Sequence, residues 1–172
     1  MSRFTRVMPE VILTIDERFS HFGRSLDATL GDANTSNFQN NNDAIYVPMW
    51  IPQNVVVTHI LWANQTTTGN GDGGIYDASF SRLVSTGSVA RSAGVQEEAV
   101  TNTKLKAGQY WFALACASSA GTFQGQTGWG TSALARYDLL YQASAFALPA
   151  TATPTSVPSN FIDLPIFGVK IA

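Results

Sequence analysis

The sequence predicts an all-β chain, an antiparallel β-sandwich of jelly-roll-like build with an extended N-terminal arm. Two stretches and the composition lead there. Gly73 to Ser88 reads as a hairpin: a strand at Gly74 to Tyr76, a polar turn at Asp77 to Ser81, and a returning strand at Arg82 to Thr86 ended by Gly87. Leu105 to Ala115 opens on the turn signal Lys106-Ala-Gly108 and continues as an aromatic-rich run, too short and too glycine-bounded for a helix. That run is the expected central strand. With 172 residues, 45% of them apolar, the chain can fill one core and not two.

In chain order, residues 1 to 43 differ from the rest and are read as an N-terminal arm and Asn-rich linker, with 44 to 172 as the sandwich. The arm begins with Arg3 and Arg6, carries the β-branched run Val11-Ile-Leu-Thr-Ile15, and ends in an Asn-rich stretch too polar to offset its own ordering entropy. Val11 to Ile15 could equally be the first strand of the sandwich. Arg3, Phe4, Arg6, Val7, Phe19 and Phe22 are the residues by which the arm would contact a partner.

From Ala44 the strand signals become regular. Pro48 and Pro52 remove ladder donors from Ile45 to Ile51, which makes that strand an edge or a bulged one. Val55 to Asn64 is apolar on both faces, so a neighbouring subunit or the arm is expected to cover whichever face the opposing sheet leaves open. Leaving Ile60 and Trp62 in water would forgo roughly 1.5–3 kcal/mol for each side chain. Self-association follows as an expectation.

Gln65 to Gly73 reads as a polar loop, and Val95 to Thr101 as a connecting or edge strand. Ser118 to Thr131 is a long Gly-rich loop holding Phe123 and Trp129. Ser132 to Gln142 is the helix candidate, with Leu134, Tyr137 and Tyr141 on one face. Phe146 to Pro158 is a Pro/Ala/Thr surface crossing, and Ile166 to Ile171 alternates as a closing strand.

Charged residues make up 13% of the chain and the formal net charge is −2. Such a surface gives no electrostatic footprint for nucleic acid and no basic cluster for an anionic membrane. Nothing near the start reads as a signal peptide, and no apolar run approaches a membrane span, so the expectation is a soluble protein made in a cytoplasm. The lone Cys116, set in an apolar run, reads as a small buried hydrophobe.

Chemistry is sparse. There is no Gly-x-Ser-x-Gly elbow, no His-Glu-x-x-His, and two histidines in all. His59 reads as a packed strand residue, and His21 as a surface or contact residue of the arm. Gly69 to Gly74 lacks the Gly-Lys-Ser/Thr ending of a phosphate loop and the Glu of a calcium loop, and is read as a tight interstrand loop. Asp72 and Asp77 could share an ion, while Glu97 and Glu98, adjacent on a strand, point to opposite faces and cannot form a glycosidase pair. The reading is therefore no enzyme, no catalytic residue, no cofactor and no metal. Trp129 is the aromatic nominated to stack on a sugar.

Taken in order, Ala44-Ile-Tyr-Val-Pro-Met-Trp-Ile-Pro, Val55-Val-Val-Thr-His-Ile, Gly74-Ile-Tyr-Asp, Arg82-Leu-Val-Ser-Thr-Gly, Leu105-Lys-Ala-Gly-Gln-Tyr-Trp-Phe-Ala-Leu-Ala and Leu148-Pro-Ala-Thr resemble small β-sandwich structural proteins of tailed bacteriophages. The likeness covers about residues 44 to 172 and includes tail-fibre modules, minor structural proteins and capsid decoration proteins. It implies a virion component, commonly trimeric, that contacts major capsid or tail proteins and has no catalytic residues. The alternative is a carbohydrate-binding or host-receptor-binding fibre module using the Ser118 to Thr131 loop on a host glycan.

Overall fold

Alternation along residues 43 to 51 sets the first sheet: Ile45, Val47, Met49 and Ile51 point into the core, and Ala44, Tyr46, Pro48 and Trp50 point away from it. The computed structural model describes residues 18–20, 34–37, 40–126, 139–158 and 164–172. Every regular element among them is a strand: β1 (Arg18–Ser20), β2 (Asn34–Asn37), β3 (Asp43–Ile51), β4 (Val55–Asn64), β5 (Asn70–Tyr76), β6 (Arg82–Ser85), β7 (Val89–Ala90), β8 (Gly94–Leu105), β9 (Gly108–Cys116), β10 (Thr122–Gln126), β11 (Leu140–Gln142), β12 (Thr155–Ser156), β13 (Leu164–Pro165) and β14 (Phe167–Ile171).

They form two seven-stranded antiparallel sheets. The first runs β12-β11-β3-β9-β5-β6, with β7 also on β5. The second runs β1-β14-β4-β10-β13, with β2 on β10 and β8 on the other side of β4. From β3 to β10 the chain crosses between sheets at β3 to β4, β4 to β5, β7 to β8, β8 to β9 and β9 to β10, the wrapping expected of the predicted sandwich.

The expected central strand, β9, pairs with β3 over its whole length and with β5 on its other side. The expected hairpin is β5 and β6, its turn tied by Asp77, whose carboxylate accepts from Ser79 N at 2.8 Å and Ser81 N at 3.0 Å. Pro48 sits where β3 is a half-edge, because β11 pairs only with Ala44 to Tyr46. Between the sheets Phe112 meets Phe167 edge-on at 4.9 Å, among Ile60, Trp62, Ile75, Leu114 and Val169. Each such side chain contributes roughly 1.5–3 kcal/mol when fully buried.

Several expectations change. Ile60 and Trp62, at 2% and 1% exposure, face the opposing sheet, and the outward Leu61 and Ala63 are buried with Ile166 and Val95. The apolar surface of β4 is hidden in a single copy, so it does not by itself call for a second. Leu140 to Gln142, the end of the helix candidate, is strand, because backbone pairing with β3 and β12 outweighs the helical spacing; residues 132–138 lie outside the described residues. Asn34 to Asn37, expected in a linker, pairs with β10, and Phe123, expected in a loop, is fully buried on β10.

The stretch Gly69 to Gly74, read as a tight interstrand loop, is in β5 from Asn70 onward, and Gly74, the expected start of the hairpin strand, is in it too. A Cβ on Gly73 would stand 2.8 Å from Ile60 Cγ2, and one on Gly74 would stand 2.7 Å from Leu148 Cδ1. Glycine lets the strand lie flat between the core and the segment crossing outside it. That crossing, residues 143–154, is packed rather than superficial: Ala145, Leu148 and Ala152 are buried over Tyr46, Tyr76, Trp111 and Ala113 on the outer face of the first sheet.

Candidate functional site

The strand directions place two sets of polar side chains at opposite ends of the sandwich. One end holds the end of β4, the starts of β5 and β8, and the end of β9; the other holds the end of β3, the start of β4, the end of β8 and the start of β9.

At the first end Asn64, Arg91 and Gln96 are buried and each is hydrogen-bonded, while Trp62 Nε1 and Gln124 Oε1 find no partner among the described residues. Arg91, 6% exposed, donates from Nε to Asn64 Oδ1 at 2.9 Å, from Nη1 to Cys116 Sγ at 3.2 Å and to the Thr68 carbonyl at 3.4 Å, and from Nη2 to the Thr122 carbonyl. Asn64 Nδ2 donates to Gln96 Oε1 at 2.7 Å and to the Ser92 carbonyl at 2.9 Å, and Gln96 Nε2 donates to the Ala90 carbonyl and to Glu98. Burial holds the Arg91 guanidinium below its ordinary pKa. A Cβ on Gly121 would collide with that guanidinium, so glycine is the residue that admits it. The network ties the loops at 65–69 and 91–93 to β4, β7, β8, β9 and β10.

Asp72 does similar work for the crossing segment. Its Oδ2 accepts from Leu148 N at 2.9 Å and its Oδ1 from Thr86 Oγ1 at 3.3 Å, while Tyr76 Oη donates to the Pro149 carbonyl at 2.7 Å and Arg82 N to the Ala150 carbonyl at 2.8 Å. Burial raises the Asp72 pKa above the ordinary carboxylate value and pushes Tyr46 up to about 12. Phe80, at a φ of 63°, lays its ring 4.9 Å from Trp111 beside this segment. Asp72 and Asp77 therefore serve separate purposes, one holding the segment and the other its own turn, and they are not brought together around an ion.

On the outer face of the second sheet His59 is half-buried rather than packed in the core. Its Nδ1 lies 3.0 Å from Thr58 Oγ1 and its Nε2 3.9 Å from Glu97 Oε1, which also takes Lys170 Nζ at 3.1 Å. Glu97 sits opposite Leu61 and Glu98 opposite Ile60, on the two faces of β8 as expected.

The other end is open. The turns at 52–54 and 106–107 are joined by Ala107 N donating to Asn54 Oδ1 at 3.0 Å, and Tyr110 Oη accepts from Lys106 N at 3.1 Å. Between them lies a cavity of about 440 Å³ with an aliphatic floor of Val55, Val56, Leu105 and Ile171. Its rim is polar: Gln53, Asn54, Lys104 and Lys106. Neither lysine forms an ion pair with a described residue, whereas Lys170 is held by Glu97. At the same end Trp50 is 41% exposed on an otherwise buried strand.

Of the residues nominated from sequence, Arg3, Phe4, Arg6, Val7, Phe22 and Trp129 lie outside the described residues, and so does His21. Phe19 is in β1, opposite Val169. Cys116 is buried, as expected, and accepts from Arg91. Lys104, Lys106, Gln53 and Trp50 were not legible as a group, because the turns that bring them to one end are set by topology. The period-two pattern that turns Tyr46 and Pro48 away from the core does extend to Trp50.

No protein-family profile matches the chain, and no curated protein matches it. A solved β-1,3-glucan-binding CBM6 from Bacillus halodurans aligns with a TM-score of 0.32 and 14% identity, over 54% of this chain and 79% of its own. The structure of infectious bursal disease virus Gx strain aligns with a TM-score of 0.26 and 8% identity, over 81% of this chain and 39% of its own. Scores this low carry no inference about function.

Proposed function

We propose that this chain is a non-catalytic virion structural protein, an oligomeric decoration or minor structural subunit attached to a capsid or tail. The observation that carries the reading is how the ionisable groups are used. Asp72 holds the crossing segment, Arg91 holds loops, Asp77 ties its turn, and Glu97 pairs with Lys170. Side chains committed to architecture give a stable, chemically quiet subunit with a charge-poor surface. β8 pairs only with β4 among the described residues, and Leu83 is 41% exposed on β6. A strand edge unpaired among the described residues and an exposed apolar residue support contacts with further subunits. Any partner that binds only the folded form adds stability by linkage.

Electron microscopy and protein mass spectrometry of purified particles test the reading. Symmetric density accounted for by this chain is the expected outcome. Its presence only in the particle-free fraction would contradict it. Sedimentation of the purified chain at micromolar concentration tests the homotrimer separately.

A second reading is favoured by the open end: a carbohydrate-binding or receptor-binding module. Its support is a cavity with an aliphatic floor and a hydrogen-bonding rim, the general make-up of a small-ligand site. Titration with host surface polysaccharide, followed by protein fluorescence, tests it.

A further inference from the structure

We propose that the cavity between the turns at 52–54 and 106–107 binds an acidic sugar residue, whose carboxylate sits between the ammonium groups of Lys104 and Lys106. The inference rests on the glycan-binding reading and names its site and ligand class.

Charge carries the first part. Lys104 and Lys106 are two residues apart at the end of β8, both exposed, both on the cavity rim, and neither paired with a carboxylate among the described residues. Two cationic side chains on one rim both attract an anion that enters the cavity between them. In a chain of net charge −2, these are two cationic side chains on one concave surface, whose lining also includes Ala172 beside Val56.

The remainder of the cavity selects what bears the anion. A volume of about 440 Å³ is within the range of small-ligand sites, roughly 300–1,000 Å³. Val56 and Ile171 give the floor aliphatic surface for the C–H face of a pyranose ring. Asn54 uses its Oδ1 on Ala107 N, which leaves its amide N–H groups to donate to ring hydroxyls. The Gln53 side chain is exposed beside it and can do the same. A free small anion would use the lysines and leave floor and amides idle; a neutral sugar would use floor and amides and leave the lysines without a counter-charge.

The test is a calorimetric and NMR titration of the full chain with oligogalacturonate, with a neutral galactose oligomer of the same length and with inorganic phosphate. Oligogalacturonate is expected to bind at least about tenfold more tightly than the neutral oligomer and to weaken as salt is raised. Amide shifts are expected at Gln53 to Val56 and Leu105 to Ala107. The paired substitution Lys104→Ala and Lys106→Ala is expected to abolish the preference while the far-ultraviolet circular dichroism stays unchanged, and Gln53→Ala to weaken both oligomers. Equal binding of acidic and neutral oligomers would overturn the proposal and leave the glycan reading standing. Binding of no oligomer would overturn both, and phosphate binding alone would reduce the lysines to an adventitious ion site.

Discussion

At one end of this sandwich Asn64, Arg91 and Gln96 are at most 6% exposed and each is hydrogen-bonded; at the other, Gln53, Lys104 and Lys106 stand in solvent around a cavity. The residue types are alike, amides and cations in both places. What differs is whether neighbouring loops fold over them. A buried polar group without a partner costs about 1–3 kcal/mol, so burial obliges the first set to become architecture. Solvent imposes nothing of the kind on the second set, which stays available to a ligand.

The sharpest way to break this contrast is at Arg91. Arg91→Ala removes the donor to Asn64 Oδ1 and to the Thr68 and Thr122 carbonyls and leaves a void beside Cys116. A loss of about 3–5 kcal/mol in urea unfolding is expected, from unpaired acceptors and cavity together. A loss below about 1 kcal/mol would mean that the closed end is not a network at all.

That network also marks where sequence reading stops. Antiparallel strands and their faces were legible, since Ile45, Val47, Met49 and Ile51 alternate locally and Gly108 to Cys116 is unmistakably β-rich. Arg91 beside Asn64 was not, because nothing local in Ser88 to Ser92 says that the side chain turns inward, and the bond spans a loop. The β5 glycines misled for a related reason: a Gly-rich stretch signals a loop unless another segment presses on it, and Leu148, which does so, is far along the chain. At the open end each residue was visible and their company was not.

A smaller effect is expected from crowding the same strand. Gly73→Ala places a methyl 2.8 Å from Ile60 Cγ2 and 3.1 Å from Trp62 Cζ3, both core atoms with little room to yield. Thermal unfolding should show a loss of about 1–3 kcal/mol, the usual range for overpacking. Gly87→Ala makes a useful partner, because nothing lies near its Cβ and only its φ of 70° resists the change.

Asp72 sharpens the comparison through pH. Burial raises its pKa in the folded chain above the ordinary 3.8, so the fold binds its proton more tightly than the unfolded chain does. Its contribution therefore opposes folding: it is absent below the unfolded value, grows as pH rises through the raised folded value, and stays constant above that. Asp72→Asn keeps an oxygen for Leu148 N and removes the charge. The stability curve of the variant should lose the slope that begins at the ordinary carboxylate value of 3.8 and show no loss at pH 7. A marked loss at neutral pH would show that the ionised carboxylate is itself what holds the crossing segment.

The smallest effect belongs to the open end. Lys104→Ala with Lys106→Ala should change unfolding stability by no more than about 0.5 kcal/mol, as is usual for exposed side chains without partners. A larger loss would make them structural.

Native-state hydrogen exchange of the unliganded chain tests the contrast between the two ends most directly. The amides of Gln65, Ala117 and Gly121 at the closed end donate to backbone carbonyls, whereas those of Lys106 and Ala107 at the open end donate to the side chains of Tyr110 and Asn54. The account predicts that the first group exchanges only through global unfolding and the second through local opening at far lower free energy. Equal protection at the two ends, or faster exchange at the closed one, would contradict it.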